Sequence, residues 1–198
     1  MTMHDNPIID FMLRRRSVLA GTMAEPGPTD ADLETMLAVA TRVPDHGKLE
    51  PWRIQVLRKP AQRELAEVFT AAFMAATPDA TDAQIDAARQ RLQRSPLLLV
   101  VSCQPRPDRF EKVPHIEQQL SAGAVCDHLL IAAGALGYAA QWLTGAPAYT
   151  PSVKAALGLD ENADIVGFMH FGSVIDAPRE RPRPTVSDIV SEWQGDVS

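Results

Sequence analysis

The chain has 198 residues, of which 45% are hydrophobic and 22% are charged, and its formal net charge is −6. This length and balance are typical of one folded domain with its own core, and they exclude a largely disordered chain. The acidic balance argues against a general nucleic-acid binder, and no run of eighteen apolar residues is present to cross a membrane.

The N-terminal residues and the cysteines bear on where the protein resides. The three arginines at positions 14–16 follow a short apolar stretch, whereas a secretory signal peptide carries its basic residues before such a stretch. Cys103 and Cys126 form no CxxC pair and predict no disulfide framework. We therefore expect a cytoplasmic protein.

Apolar periodicity, capping residues and turn residues divide the chain into helices and strands. Helices are predicted over residues 6–13, from Thr29 to Val43, from Pro60, from Thr81 through Leu92, over residues 115–136, from Thr150 to Gly158, and as a short segment in the tail. Strands are predicted over residues 53–58, 96–103, 138–143 and 164–173. Because helices and strands are mixed without strict βαβ alternation, the pattern predicts an α+β fold with a sheet between helices.

Two of these elements have distinctive compositions. The run PLLLVVSC, at residues 96–103, is continuously apolar and predicts a central strand that is buried on both faces. The helix at 115–136 is rich in Ala, Gly and Ser, which let another backbone or a flat ring approach closely. Gly137 is expected to end it as a left-handed cap.

Arg14, Arg15, Arg16 and Ser17 form a basic cluster at a predicted helix-to-loop junction. Guanidinium groups bind phosphate through paired hydrogen bonds, and a serine hydroxyl adds another. Such residues are also typical of a solvated last helical turn, where cations complement the helix dipole. From the cluster alone, this second interpretation is favoured.

Arg42, Asp45 and His46 lie in the loop RVPDHGKLEPW, which Pro44 and Pro51 stiffen. A stiff loop suits a binding site. The alternative is that Asp45 and His46 form a simple turn, since a lone loop histidine is usually solvated.

Trp142 is either a core anchor or a wall against an aromatic ligand.

The sequence contains no GxSxG, P-loop or GxGxxG motif, and its histidines form no HxxH or HExxH pair. We therefore predict no metal site and no catalytic side chain, and we interpret Cys103 and Cys126 as core thiols.

Four separated motifs, taken together, resemble one known family. They are RRS at 15–17, RVPDHGKLEPWRIQVL at 42–57, QQLSAGAVCDHLLIAAGALGYAAQWLTG at 118–145 and IVGFMHFGS at 165–173. In order and spacing they resemble the nitroreductase family, most closely its small single-domain bacterial subgroup. The resemblance extends from about Ile8 to Gly172.

The resemblance implies a fold and an assembly. Family members are homodimers in which a mixed or antiparallel sheet of four or five strands lies between helices and a C-terminal arm crosses to the partner. For this chain it implies one nitroreductase-like domain over residues 1–198, with an exchanged arm at about 174–198. The tail agrees with this, since it carries Pro178, Pro182 and Pro184 before a short amphipathic segment.

The same resemblance implies FMN bound in the dimer interface, with both chains contributing. Arg15, Arg16 and Ser17 would hold its phosphate and ribityl end or the polar edge of its ring. Arg42 and His46 would reach the same flavin from the other subunit.

The strand after the long helix is expected to line the flavin through Trp142, Leu143 and Thr144. Close relatives can carry Arg and Ser where this chain has Leu143 and Thr144. Thr144 keeps the hydroxyl, but Leu143 removes a cation, which is expected to change the charge near the flavin and its redox potential.

Two further segments are assigned by the resemblance alone. Residues 132–137 fall where relatives receive NAD(P)H. Arg181 and Arg183 fall where some larger relatives place phosphate-binding cations.

The implied function is that of an FMN-dependent oxidoreductase, which passes hydride from NAD(P)H through the flavin to a nitroaromatic, a quinone or a similar electron-poor small molecule. The arginines agree with this, because FMN needs cations for its phosphate and an apolar platform for its ring. Two alternatives remain open: a non-catalytic flavin-binding protein, such as a redox sensor or flavin carrier, and a flavin dehydrogenase that uses no nicotinamide. The sequence carries no acidic ribose fingerprint from which to choose between NADH and NADPH.

Overall fold

The computed structural model describes residues 5–176 and 178–195. The predicted domain start at residues 1–4 and the last residues of the predicted arm, 196–198, lie outside this range. Within the described ranges the α-helices are α1 Pro7–Arg14, α2 Asp30–Ala40, α3 Lys59–Ala76, α4 Asp82–Gln90, α5 His115–Ala135, α6 Pro151–Ala156 and α7 Val186–Ile189. The strands are β1 Trp52–Leu57, β2 Leu97–Cys103, β3 Ala139–Leu143 and β4 Asp164–Gly172.

The strands form one sheet in the order β1-β2-β4-β3, and every pair is antiparallel. Every residue of β2 is buried, which confirms the prediction that this apolar run forms a central strand. The predicted α+β architecture, with a sheet between helices, is likewise confirmed.

Apolar side chains are buried on both faces of the sheet. On one face, α2 and α5 pack on alternate residues of β2, in a cluster that includes Met36, Leu99 and Leu129. On the other face, α3, α4 and α6 pack in a cluster that includes Phe69 and Phe168. Successive side chains of a strand point to opposite faces of the sheet. A functional residue on β3 or β4 therefore faces either the α2–α5 side or the side on which α3, α4 and α6 pack.

The helix ends follow local chemistry. Thr81 and Gln84 form a capping box at the start of α4, as the sequence predicts. Thr29 accepts a hydrogen bond from the Asp32 amide at the start of α2, also as expected. The prediction that α2 extends to Val43 is wrong: the helix ends at Ala40, because Pro44 disfavours helical geometry before it and the chain turns at Thr41.

The long helix α5 ends as its sequence predicts. Gly137 has a positive φ of 86° and its amide bonds to the Gly134 carbonyl, so the chain reverses into β3. The indole of Trp142, on β3, then lies close to Gly123, in the middle of α5. The strand therefore returns along the helix, and the loop after Leu143 lies at the level of the N-terminal half of α5.

Candidate functional site

The predicted basic cluster lies where α1 ends. Arg14 pairs with Asp10 one turn earlier, which makes it part of the helix itself. Arg16 donates from Nη1 to the carbonyl oxygens of Leu13 (3.0 Å) and Arg15 (2.7 Å), as expected of a cation at a helix C-terminus. The helix-end interpretation thus accounts for Arg14 and for part of Arg16.

One nitrogen of the Arg16 guanidinium is left without a partner within the described part of the chain. Its side chain is only 10% exposed, and its Nε has no hydrogen-bond partner among the described residues. Nη2 pairs with Glu180 of the C-terminal segment. The neighbouring Arg15 guanidinium makes no ion pair within the described part of the chain. A buried guanidinium with an unused N–H donor is the kind of group that binds a phosphate or carboxylate.

The segment after the cluster runs beside the outer edge of β3. The Val18 amide donates to the Ala140 carbonyl at 3.1 Å, and the Ala20 amide donates to Gln141 Oε1 at 2.6 Å. Leu143 packs in the same small cluster as Val18 and Ala20. The structure therefore places the residues directly after Arg15, Arg16 and Ser17 along the edge of the strand that leads to Leu143 and Thr144.

Trp142 faces the other side of the sheet. Its indole packs on the α2–α5 core cluster, and its Nε1 donates to the Val166 carbonyl at 3.0 Å. Gly167 makes room for it, since a Cβ there would overlap the indole. These are the contacts of a core anchor, which is one of the two interpretations the sequence leaves open.

The loop RVPDHGKLEPW is fixed to the N-terminal part of α5. Asp45 accepts hydrogen bonds from the amides of Leu49 (3.2 Å) and Glu50 (2.8 Å), which closes the turn. The Ser121 hydroxyl donates to the Pro44 carbonyl and accepts from Trp52 Nε1. The turn that the sequence offers as an alternative is therefore present, in a loop tied down at both ends.

The two predicted flavin contacts of this loop differ in their surroundings. His46 Nδ1 lies 2.6 Å from Glu117 Oε2, on α5. The exposed Arg42 guanidinium has no side-chain partner within residues 5–176 and 178–195. Arg42 is thus free to contact another molecule, whereas His46 is held by a carboxylate.

Within one chain, the helix that precedes the basic cluster and this loop contact opposite ends of α5. Phe11 of α1 contacts Gly134 near the C-terminus of α5, and His46 contacts Glu117 near its N-terminus. At about 1.5 Å per residue, the two contacts are about 25 Å apart along the helix. Within the described residues, no hydrogen bond or ion pair joins Arg15 or Arg16 to Arg42 or His46 in a single chain.

A cavity of about 350 Å³ contains residues that the sequence analysis did not select. It lies on the α3–α4 face of the sheet, where the predicted residues Leu143 and Thr144 meet Arg91, Arg94 and His170. The sequence signal for His170 is a polar residue in the middle of an otherwise apolar strand. Arg91 and Arg94 carry no comparable signal, because arginines at the end of an amphipathic helix are ordinarily solvated.

The remaining predicted segments lie away from this cavity. Ala132 and Ala133 are buried in the core, so residues 134–137 are the accessible part of the stretch assigned to NAD(P)H. Arg181 and Arg183 are exposed in the C-terminal segment.

Both cysteines are poor nucleophiles in this setting. Burial raises the pKa of Cys103 to about 11 and that of Cys126 to about 12, so both thiols stay protonated near neutral pH.

Among the described residues there is no cluster of three or more His, Cys, Asp and Glu side chains placed to hold a metal ion. None of the helices in the described ranges combines the length and apolar character that crossing a bilayer requires.

Comparison with known proteins decides the family. The sequence model of the Nitroreductase family matches residues 12–173. The chain is a member of the nitroreductase family. The Escherichia coli (strain K12) protein named "Putative NAD(P)H nitroreductase YdjA" is 34% identical over 165 residues, which cover 83% of this chain and 87% of that protein.

Solved structures agree on the nitroreductase fold. A nitroreductase-like family protein from Bacillus cereus superposes with a TM-score of 0.83 at 22% identity, covering 98% of this chain and 100% of that one. A nitroreductase with bound FMN from Bacteroides fragilis NCTC 9343 gives a TM-score of 0.70 at 21% identity, covering 94% of this chain and 100% of that one. These likenesses confirm the predicted nitroreductase-like sheet between helices.

Proposed function

We propose that the protein is an FMN-dependent oxidoreductase that passes hydride from NAD(P)H through the flavin to a nitroaromatic, a quinone or a similar electron-poor small molecule. The observation that carries this proposal is the Arg16 guanidinium, nine-tenths buried with an unpartnered Nε, beside Ser17 at the β3 edge. Family membership, the NAD(P)H in the name of the Escherichia coli relative and the FMN in the Bacteroides fragilis structure support it.

The residues at the β3 edge fit FMN. Arg15 and Arg16 supply cationic donors for the phosphate, and the Ser17 hydroxyl adds a neutral one. Leu143 supplies apolar surface for the ring, and Thr144 supplies a hydroxyl at its edge. The orphaned Nε of Arg16 is the group whose hydrogen bonding a phosphate would complete. Trp142 lies on the opposite face of β3, where it anchors the strand that presents Leu143 and Thr144.

We propose a homodimer, because several apolar surfaces are left open in one chain. Ile8 of α1 is 70% exposed, Leu120 of α5 is 65% exposed and Trp193 of the C-terminal segment is 90% exposed. Apolar surface of this extent on three elements is typical of an obligate interface. We infer that the segment from about residue 174 to 198 is an arm on one nitroreductase-like domain and docks on the partner.

A dimer also resolves the separation of the two motifs. Phe11, in the helix that precedes the basic cluster, and His46 contact α5 at points about 25 Å apart along that helix. In a two-fold dimer packed through α5, the loop of one chain can reach the flavin held by its partner. We propose that Arg42 donates to that flavin and that Glu117 orients His46 toward it.

The chain's own residues bind and orient the cofactor and the substrates and shield them from water, and none of these residues needs to act as an acid or base. When bound, FMN supplies the two-electron chemistry, taking hydride from NAD(P)H and passing it to the acceptor. Residues 134–137 are proposed to receive NAD(P)H, and Arg181 and Arg183 to supply phosphate-binding cations. Because donor and acceptor would use the same site in turn, ping-pong kinetics are expected.

The absorbance spectrum of the purified protein tests the proposal first, because bound FMN makes it yellow. Anaerobic mixing with NADH, and separately with NADPH, tests the activity. Rapid bleaching that is reversed by a nitroaromatic or a quinone is the expected result. A yellow protein that neither nucleotide bleaches would instead be a flavin carrier, a redox sensor or a nicotinamide-independent dehydrogenase, and a protein that binds no FMN would overturn the proposal.

A further inference from the structure

The loop RVPDHGKLEPW contains a turn whose backbone conformation is disfavoured for the residues it carries. Lys48 and Glu50 have positive φ values of 53° and 48°, in the left-handed region that residues with a Cβ rarely adopt. Gly47, with a φ of 74°, adopts the same region freely because it has no Cβ. Two strained residues within three positions need another part of the chain to hold them.

Asp45 supplies that restraint. Its carboxylate accepts hydrogen bonds from the amides of Leu49 (3.2 Å) and Glu50 (2.8 Å), and its backbone carbonyl accepts from the Lys48 amide (3.2 Å). One residue thus bonds three consecutive amides, including those of both strained residues. Because the same amides could bond to water in a relaxed turn, the Asp45 side chain is what favours the strained one.

The strained residues gain nothing through their own side chains. Within the described part of the chain, neither the Lys48 ammonium nor the Glu50 carboxylate forms a hydrogen bond or ion pair. What the turn fixes is His46, an exposed residue whose Nδ1 lies 2.6 Å from Glu117 Oε2. Backbone strain that the surrounding structure maintains is typical of functional sites, so the strain points to the placement of His46.

The loop is also tied down on each side of this turn. The Ser121 hydroxyl donates to the Pro44 carbonyl at 2.8 Å, and Arg53 Nη1 donates to the Glu50 carbonyl at 2.7 Å. These bonds fix where the turn begins and ends, and Asp45 fixes the backbone between them. Loss of the Asp45 carboxylate should therefore loosen His46 while the rest of the loop stays in place.

We propose that Asp45 is a positioning residue of the shared flavin site, whose carboxylate holds the strained turn before FMN binds and so presents His46 to the flavin of the partner. The proposal rests on the proposed function, in which His46 contacts that flavin. Asp45 itself touches neither cofactor nor substrate. Because the turn is already formed, no conformational entropy is lost in ordering it when FMN binds.

FMN titrations of Asp45→Asn, followed by quenching of flavin fluorescence, test the proposal. The amide has the same size but only one acceptor oxygen, so one of the two side-chain bonds is lost. We expect FMN to bind about tenfold more weakly, because one contact is no longer held in place. In a His46→Ala background the same substitution should have little further effect, whereas a role in stability alone, or the change of charge, would weaken binding equally in both backgrounds.

Glycine rescue tests the part played by strain. In the Asp45→Asn background, Lys48→Gly together with Glu50→Gly should restore part of the lost affinity, because glycine adopts positive φ without a steric clash. Lys48→Ala together with Glu50→Ala is the matched control, since it removes the same two charges but keeps both Cβ atoms. A glycine pair that restores no more affinity than the alanine pair would overturn the proposal.

Amide hydrogen exchange in the wild-type protein covers the case in which Asp45→Asn does not fold. The amides of Leu49 and Glu50 should be protected before FMN is added, because the turn is preformed. Protection that appears only with FMN, or equal FMN binding by wild type and Asp45→Asn, would overturn the role of Asp45 while leaving the FMN-dependent function intact. Failure of the wild type to bind FMN would instead overturn the proposed function.

Discussion

Arg16 donates from Nη2 to the carboxylate of Glu180, a residue that follows it by 164 positions. The pair joins the arginine proposed to hold the FMN phosphate to the C-terminal segment proposed to act as an arm. The Arg16 hydrogen bond holds the pKa of Glu180 below its usual value, so the carboxylate is charged at neutral pH. Glu180 therefore occupies part of the guanidinium on which the phosphate is expected to bind.

Glu180→Gln should strengthen FMN binding, because the phosphate no longer competes with a carboxylate for Arg16. Since Glu180 is exposed, a gain of about two- to fivefold is expected in a fluorescence titration. In an Arg16→Ala background the same substitution should have no effect. Weaker binding by Glu180→Gln would show that the carboxylate supports the flavin site instead of competing for it.

Arg15→Ala and Arg16→Ala should each weaken FMN binding by about tenfold to a hundredfold, the worth of one charge-assisted hydrogen bond. Riboflavin serves as the matched ligand, because it lacks only the phosphate. An arginine that contacts the phosphate should leave riboflavin binding almost unchanged. Equal losses for both flavins would place that arginine at the ribityl chain or the ring.

A mixed dimer should test whether the site is shared between chains. One chain carries Arg15→Ala and Arg16→Ala, and the other carries Arg42→Ala and His46→Ala. If the sites are composite, one site of the heterodimer has all four native residues, so it should bind about one FMN although each parent homodimer binds poorly. A confirmed heterodimer that binds no FMN would contradict the shared site.

Leu120→Glu should convert the dimer to a monomer that retains little flavin. Leu120 is 65% exposed in one chain, so a charge there costs the fold little but would be buried in an interface. Met74→Glu is the control, because Met74 is also exposed but lies on α3, across the sheet from α5. Sedimentation should show a monomer for the first variant and a dimer for the second, and a flavin-loaded Leu120→Glu dimer would exclude this face of α5.

The buried His170 should make stability fall as the solution is acidified. Its pKa is lowered to about 4 in the folded chain and is about 6.5 when unfolded, so between these values the unfolded chain binds a proton that the folded chain does not. The unfolding free energy should therefore drop between pH 6.5 and pH 4 by an amount on the order of 3 kcal/mol. Urea titrations of wild type and His170→Gln isolate this contribution, and parallel pH profiles would contradict it.

The sequence is enough to place most helices and strands because their signals are local. The continuous apolar run of β2 and the capping box of α4 are examples, since each is read from fewer than ten neighbouring residues. The end of α2 is missed because the turn at Thr41 begins before the proline that causes it. Errors of this kind affect where a helix or strand ends and leave its assignment as a helix or strand correct.

The candidate site is harder to predict, because its members are brought together by the sheet. Arg94 precedes β2, Leu143 ends β3 and His170 lies within β4, so they meet only through strand pairing. The resemblance names Leu143 from its motif, whereas no local pattern marks Arg94. The hydrogen-bond partner of His170 Nδ1 is Ser95, which lies 75 residues away in sequence.

The contact between Gly167 and Trp142 has a consequence for anyone redesigning this protein. The glycine leaves a slot in β4 that the indole fills, and the strand carrying the indole leads directly into Leu143 and Thr144. The side chains at positions 142 and 167 therefore compete for the same space, so neither position can be varied alone. A library that randomises the loop after β3 to change the acceptor should hold both fixed, or exchange them as a size-matched pair, because a new side chain at 167 would displace the loop itself.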